Sequence, residues 1–244
     1  VALALIASKF YGNPSRELKL VGITGTNGKT TCATLMYDLF SGLGYKTGLL
    51  STVVNKIGED AIPATHTTPN SVALNALLRD MVNEGCTHCV MEVSSHAIDQ
   101  NRIYGLHFEG GVFTNISHDH LDYHKTFSAY IKAKKQFFDG LPSASFALVN
   151  TDDKNGLIML QNTNAKRHHY ALKTPADFKA KVMENALSGL ILNLDGAEFY
   201  SRLIGRFNAY NLLAVYAVAM LLDEDKIETL GVLSNLQSVE GRFQ

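Results

Sequence analysis

The stretch Gly22–Thr31, GITGTNGKTT, brings together three glycines, a lysine and several hydroxyls. These are the residue types that hold phosphate. A glycine turn opening a helix aims backbone N–H groups at an anion, a lysine adds charge, and a Thr hydroxyl reaches Mg²⁺. The usual spacing, G-x-x-x-x-G-K-[ST], would put its first glycine at position 23, which is Ile23. The stretch is read instead as a shortened loop, Gly25-x-x-Gly28-Lys29-Thr30, with Thr26, Asn27 and Thr31 around it.

Three other places carry polar chemistry. Glu92, in MEVSSH, ends an apolar run of strand length. A carboxylate at that edge of a parallel sheet is placed for a metal ion or as a cap for the next turn. TNISHDHLDYH (114–124) packs His118, His120 and His124 with Asp119 and Asp122, a density that suggests metal ligands, of which one or two histidines are expected to serve. It misses the H-x-H-x-D-H metal pattern by one residue, Tyr123. In FSAYIKAKKQFF, helical spacing at ~100° per residue groups Phe127, Tyr130, Ile131 and Phe138 on one face with Lys134 in the middle. A lysine there either reaches solvent along its stem or is paired, neutralised or modified.

The elements that would position these groups alternate. Strands are expected over 18–24, 46–52, 87–94, 111–117 and 146–150. Helices are expected over 30–43, from Thr68-Pro69 to about Glu84, over 126–139, over 208–222 and over 225–236. Residues 1–17 read as a short helix and connector, and 180–204 as strands turning at Asp195-Gly196. The fold class expected is α/β, a doubly wound, mostly parallel sheet with a P-loop-type nucleotide site and a small additional β element.

The 244 residues are 46% hydrophobic and 18% charged, with net charge -1. That is globular composition without the basic field that invites nucleic acid. No apolar run approaches the ~18 residues of a membrane span. The opening VALALIA lacks a basic leader, and the ends suggest a piece of a longer protein. The three cysteines, Cys32, Cys86 and Cys89, are too few for a disulfide framework and fit a reducing compartment, hence a cytoplasmic location. Cys86-Thr-His-Cys89 lacks the second pair a zinc site needs.

GITGTNGKTT, HTTP, MEVSSHAIDQNR, FTNISHDHLDYH, YIKAKKQFF, GRFNAYNLLA and VEGRF, in that order over residues 22 to 243, together resemble the Mur ligase family. The likeness is strongest to the MurE type, which extends a UDP-N-acetylmuramoyl-dipeptide. It implies a three-domain parent: residues 1–17 as a linker remnant, 18–244 as the central ATP-binding domain, and both outer domains lying outside this chain. It implies an amide ligase of peptidoglycan synthesis that works through an acyl phosphate, with ATP and two Mg²⁺.

On matching residues it places the loop and Lys29 at the ATP phosphates, Thr30 and Glu92 at one Mg²⁺, and Glu92, His120 and an N-carbamylated Lys134 at the other. Asn208 and Asn211 fall on the adenine side, Arg242 near the phosphates, and Thr67, Thr68, Ser94, Gln100 and Arg102 at the muramoyl-dipeptide. Gln244, where an acidic residue is common, and His118 depart from the pattern. Rival readings are an isolated nucleotide-binding module, a folylpolyglutamate-synthase-like ligase, a metal-dependent hydrolase built on the histidines, and a generic P-loop kinase. Ile23 spoils the strict loop of the last, and the hydrolase gives Lys29 no role.

Overall fold

The computed structural model describes residues 1–64, 66–119 and 121–236; the side chains of residues 121 and 122 lie outside it. His120, Arg242 and Gln244, singled out above, fall outside the described residues. Among those described, eleven strands form one sheet. These are β1 (Lys19–Thr24), β2 (Thr47–Leu50), β3 (Val54–Ile57), β4 (Asp60–Pro63), β5 (His88–Glu92), β6 (Gly110–Phe113), β7 (Phe146–Asn150), β8 (Lys166–Ala171), β9 (Phe178–Ala186), β10 (Gly189–Leu194) and β11 (Ala197–Ser201). Their spatial order is β11-β10-β9-β8-β7-β6-β1-β5-β2-β3-β4. β2, β5, β1, β6, β7, β8 and β9 run parallel, whereas β3–β4 and β10–β11 are antiparallel additions. This is the expected doubly wound sheet with a small extra β element.

The helices are α1 (Ala2–Phe10), α2 (Lys29–Gly42), α3 (Ser71–Asn83), α4 (Ser95–Asp99), α5 (Leu121–His124), α6 (Phe127–Asp139), α7 (Gly156–Met159), α8 (Arg206–Leu221) and α9 (Lys226–Asn235). They cover both faces. On one, Leu35, Met36 and Phe40 of α2 pack with Leu212, Leu213 and Tyr216 of α8. On the other, Leu74 and Leu78 of α3 pack with Phe137 and Phe138 of α6. α8 is buried almost all round, from Asn208 to Ala219, as a helix apolar on every side must be.

One expected element shifts, and one strand of the parallel set was not expected. α3 begins at Ser71, with the Asn70 side chain accepting from the Val72 and Ala73 N–H groups, so Asn70 and not Thr68 is the cap. The Thr68 hydroxyl instead donates to the Glu92 carbonyl at 2.8 Å. β8 was not expected, because its sequence KRHHYA is polar and its first four residues are not fully buried.

The register sets the site. β1 pairs with β5 on one side, ending at Ile23↔Glu92, and with β6 on the other, ending at Thr24↔Phe113. The carboxyl ends of three central strands therefore meet where the winding reverses, the crevice in which open α/β sheets bind ligands. Gly22 sits inside β1. A Cβ there would stand 2.6 Å from the Phe137 ring and 2.8 Å from Phe108. This glycine is a packing requirement under α6, which is why it does not fit the spacing of a phosphate loop.

Candidate functional site

The loop between β1 and α2 is shaped by its glycines and by the segment after β6. Gly28, the residue before α2, has φ +85° and no side-chain cap, so the first N–H groups of α2 face outward toward an anion. A Cβ on Gly25 would collide with the Thr114 hydroxyl. Thr114 and Asn115 hold the loop in place. The Asn27 carbonyl accepts from Thr114 Oγ1 at 2.7 Å and from Asn115 Nδ2 at 3.0 Å, while the Asn27 N–H donates to Asn115 Oδ1 at 3.0 Å. Lys29 Nζ folds across the loop, donating to the carbonyls of Gly25 at 3.0 Å and Thr26 at 2.9 Å.

A cleft of about 400 Å³ opens beside this loop. Gly28 to Thr31, Glu92, Lys134, Thr67, Thr68, Ser94 and Arg102 are among the residues that line it. Glu92 is fully buried. Its Oε1 accepts from the Thr52 N–H at 2.7 Å, but its Oε2 has no hydrogen-bond partner among the described residues. A buried carboxylate oxygen without a donor is costly unless a ligand completes it. With the Thr30 hydroxyl in the same cleft, the donor set is oxygen, which suits a hard divalent cation such as Mg²⁺.

Lys134 lies on the buried face of α6, with 1% of its surface exposed, so its stem does not carry it to solvent. Its ammonium donates to the Gly25 carbonyl at 2.9 Å and sits 4.6 Å from the centre of the Tyr130 ring. Burial, reinforced by the charge of Lys29 and opposed by Asp119, holds its pKa well below the ordinary lysine value. Lys132 and Gln136 face solvent, as the helical spacing requires.

The histidine-rich segment divides. His124 is buried, with Nε2 2.9 Å from Ser95 Oγ and its ring 5.2 Å from that of Tyr130. His118 is exposed, its ring 4.4 Å from Phe127. Both are packing histidines here. Among the described residues no three His, Cys, Asp or Glu side chains converge to share a metal ion.

A second cavity, of about 550 Å³, lies on the other side of the loop and shares Asn27, Gly28 and Thr31 with the first. Asn211, Tyr210, Tyr170 and the 61% exposed Phe207 line it. Asn211 contributes to its wall, whereas Asn208 stands behind, accepting from Asn211 Nδ2 at 3.0 Å. At its rim Asp152 accepts from three backbone N–H groups, at Leu172, Lys173 and Thr174, and from the hydroxyls of Thr174 and Tyr210. Burial works against its ionisation, but these bonds outweigh it and draw its pKa down to about 2.

The structure thus gathers Thr26 to Thr31, Glu92, Lys134, Thr67, Thr68, Ser94 and Arg102 around one cleft, with Gln100 outside it and bonded to Arg102. Sequence reasoning missed Asn115, Tyr130, Asp152 and Phe207. The first and third follow strands directly, and that position was their only signal.

A phosphate loop at the reversal point of a doubly wound sheet, facing a buried acid and a buried lysine, defines a nucleotide-binding α/β domain. Residues 23–219 match the model of the Mur ligase middle domain, and the chain belongs to that family. It is 63% identical, over its whole length, to UDP-N-acetylmuramoyl-L-alanyl-D-glutamate--2,6-diaminopimelate ligase of Cytophaga hutchinsonii, covering 50% of that protein. To the enzyme of the same name from Listeria innocua it is 38% identical, covering 52%. A solved structure of a ligase of that name superposes with TM-score 0.86 at 29% identity, over 98% of this chain and 52% of that one. MurF from Acinetobacter baumannii, at 16% identity, shares the fold with TM-score 0.78 over 99% of this chain and 51% of its own. The chain spans about half the length of the curated relatives it matches.

Proposed function

We propose that the full-length polypeptide containing this chain is an ATP-dependent amide ligase of peptidoglycan synthesis. It joins a third amino acid to UDP-N-acetylmuramoyl-L-alanyl-D-glutamate in the cytoplasm. The third residue is diaminopimelate, a reading supported by the relatives' names. Residues 18–244 serve as the central ATP-binding domain and 1–17 as the end of a linker. The observation that carries this reading is the fully buried Glu92 Oε2, unpartnered among the described residues and set in one cleft with the phosphate loop and Arg102.

Lys29 and the N–H groups at the start of α2 hold the β- and γ-phosphates of ATP. Asn211, backed by Asn208, takes the base side. Arg102, with Thr67, Thr68 and Ser94, orients the acceptor so that its D-Glu carboxylate points at the γ-phosphoryl group. That carboxylate is already ionised and needs no base to attack. ADP leaves, and the amine of the third residue then attacks the carbonyl of the acyl phosphate, losing a proton and expelling inorganic phosphate to form the amide.

Thr30 and Glu92 would hold Mg²⁺, with His120 and Lys134 at a second site. The cation supplies positive charge against the repulsion between phosphate and carboxylate. Lys134, whose pKa burial lowers well below the ordinary lysine value, is suited to take up CO₂ and become an anionic carbamate ligand. The roles of His120 and Arg242 rest on their motifs.

The test is turnover by the full-length protein. Phosphate release is expected only with ATP, Mg²⁺, the muramoyl-dipeptide and diaminopimelate together. Lys29→Ala, which removes charge-assisted bonds to phosphate, should lower kcat/KM for ATP by at least about tenfold. Phosphate release independent of the amino acid would overturn the reading.

A further inference from the structure

We propose that Asp99 and Tyr123 are positioning residues for Arg102. With Gln100 they form a hydrogen-bond chain of fixed direction that turns the Gln100 amide oxygen toward the guanidinium. The proposal rests on the reading of Arg102 as the clamp for an anionic group of the acceptor.

The chain is continuous. Tyr123 OH donates to Asp99 Oδ2 at 2.8 Å. Gln100 Nε2 donates to the Tyr123 oxygen at 3.2 Å. Gln100 Oε1 accepts from Arg102 twice, from Nε at 3.0 Å and from Nη2 at 2.6 Å. Arg102 Nη1 donates to the Thr68 carbonyl at 2.8 Å.

Its direction is forced at both ends. A guanidinium has only donors, so the amide oxygen of Gln100 must face it. The amide nitrogen then needs an acceptor on its other side. A tyrosine hydroxyl can donate or accept, and here it donates to the Asp99 carboxylate, which has only acceptor sites when ionised. The Tyr123 oxygen is thereby left to accept from Gln100. Without Asp99 or the hydroxyl, the amide nitrogen loses its acceptor and only the guanidinium selects the orientation of the amide. In the turned-over state an NH₂ group would face the guanidinium, donor against donor.

The chain also sets what Arg102 can offer. Of the five N–H bonds of a guanidinium, three are used by Gln100 and Thr68. One on each Nη remains uncommitted among the described residues. These two N–H groups are left to bond the oxygens of a carboxylate or phosphate. Arg102 lines the cleft, while Asp99, Gln100 and Tyr123 stand outside its wall. Asp99 and Gln100 are exposed, so the bonds add little to stability and their effect is orientational. The chain also ties α5, which follows the His118–Asp119 segment, to α4 and to the acceptor side of the cleft.

The experiment is steady-state kinetics of the full-length protein, varying UDP-N-acetylmuramoyl-L-alanyl-D-glutamate. Tyr123→Phe keeps the ring against His96, whose centre is 4.1 Å away, and removes only the hydroxyl. It should raise KM for the acceptor about three- to tenfold, the worth of one oriented hydrogen bond, with KM for ATP unchanged. Asp99→Ala, which touches neither Arg102 nor the cleft, should act in the same direction.

The discriminating variant is Gln100→Glu, whose two equivalent oxygens need no turning. In that background Tyr123→Phe should change the acceptor KM less than about twofold. The same penalty in both backgrounds would mean that the hydroxyl acts through packing, and would overturn the proposal. So would an unchanged acceptor KM in Tyr123→Phe when Arg102→Ala raises it, although the clamp would then stand. An acceptor KM unaffected by Arg102→Ala would remove the clamp and the proposal together.

Discussion

Lys134 sets stability against chemistry. A base whose pKa is depressed by folding makes the native state less stable below its unfolded value, because the unfolded chain binds the proton more readily. For Lys134 the penalty is present at neutral pH and relieved only as pH rises toward the ordinary lysine range. Lys134→Met fills the same buried space between Tyr130 and Phe138 without the charge. It should raise the melting temperature, by about 2–4 °C per kcal/mol recovered, while abolishing turnover. Differential scanning calorimetry beside the turnover assay checks both halves; a lower melting temperature would mean that the bond to Gly25 outweighs burial. The sequence put a lysine on an apolar face but could not show whether its stem reached water. That depends on how closely the loop carbonyl closes over it.

Among the strands, β5 carries both Glu92 and a pH-sensitive weak point. His88, at its start, stacks on Phe40, ring centres 4.9 Å apart, and lies against the tilted Tyr45 ring at 4.2 Å, and its Nε2 has no partner among the described residues. Burial, aided by Lys19, lowers its pKa to about 4. It is neutral in the fold and easier to protonate when unfolded. Its contribution is therefore whole above about pH 6.5 and is lost as pH falls from there toward 4. The urea midpoint should drop over that window, and His88→Phe, which keeps the stack, should flatten the drop. An unchanged pH profile in the variant would exonerate the histidine.

The strand pattern also shows where sequence reading succeeds. β1, β5, β6 and β7 are buried on both faces and read as apolar runs. β8 lies among them in the sheet, yet its Lys166, Arg167, His168 and His169 hide it, since their long or polar side chains reach outward. α3 was placed too early because Thr68-Pro69 imitates a cap. The true partner of the Thr68 hydroxyl, the Glu92 carbonyl, lies 24 residues away and is invisible to local pattern. The loop itself was legible apart from Gly22, whose role depends on Phe137 and Phe108 crossing over β1.

For the whole molecule the question is where the folding unit starts. Residues 1–17, proposed above as the end of a linker, pack against the domain. Ala4, Ala7 and Ser8 of α1 are buried, as are Pro14 and Ser15 in the turn that follows. Arg79 of α3 gathers that turn. Its Nε donates to the Tyr11 carbonyl at 2.8 Å, and its Nη2 to the Gly12 carbonyl at 3.1 Å and to Glu17 at 2.7 Å. Ser15 Oγ accepts from the His107 N–H at 2.9 Å, tying the segment to the approach of β6. None of these residues lines either cavity beside the phosphate loop. Deleting 1–17 leaves the Arg79 guanidinium and the His107 N–H without these partners. It should lower unfolding free energy by roughly 2–3 kcal/mol, the worth of a few bonds to a partly exposed cation. Calorimetric titration with Mg²⁺ and ATP should give an affinity within about twofold of the intact chain, because β1, α2 and the segment after β6 still frame the loop. Equal stability with and without the segment would make it a detachable linker. Lost nucleotide binding at 25 °C in a deletion variant that remains folded would mean that α3, through Asn70 and the neighbouring Thr67 and Thr68, transmits its position to the cleft.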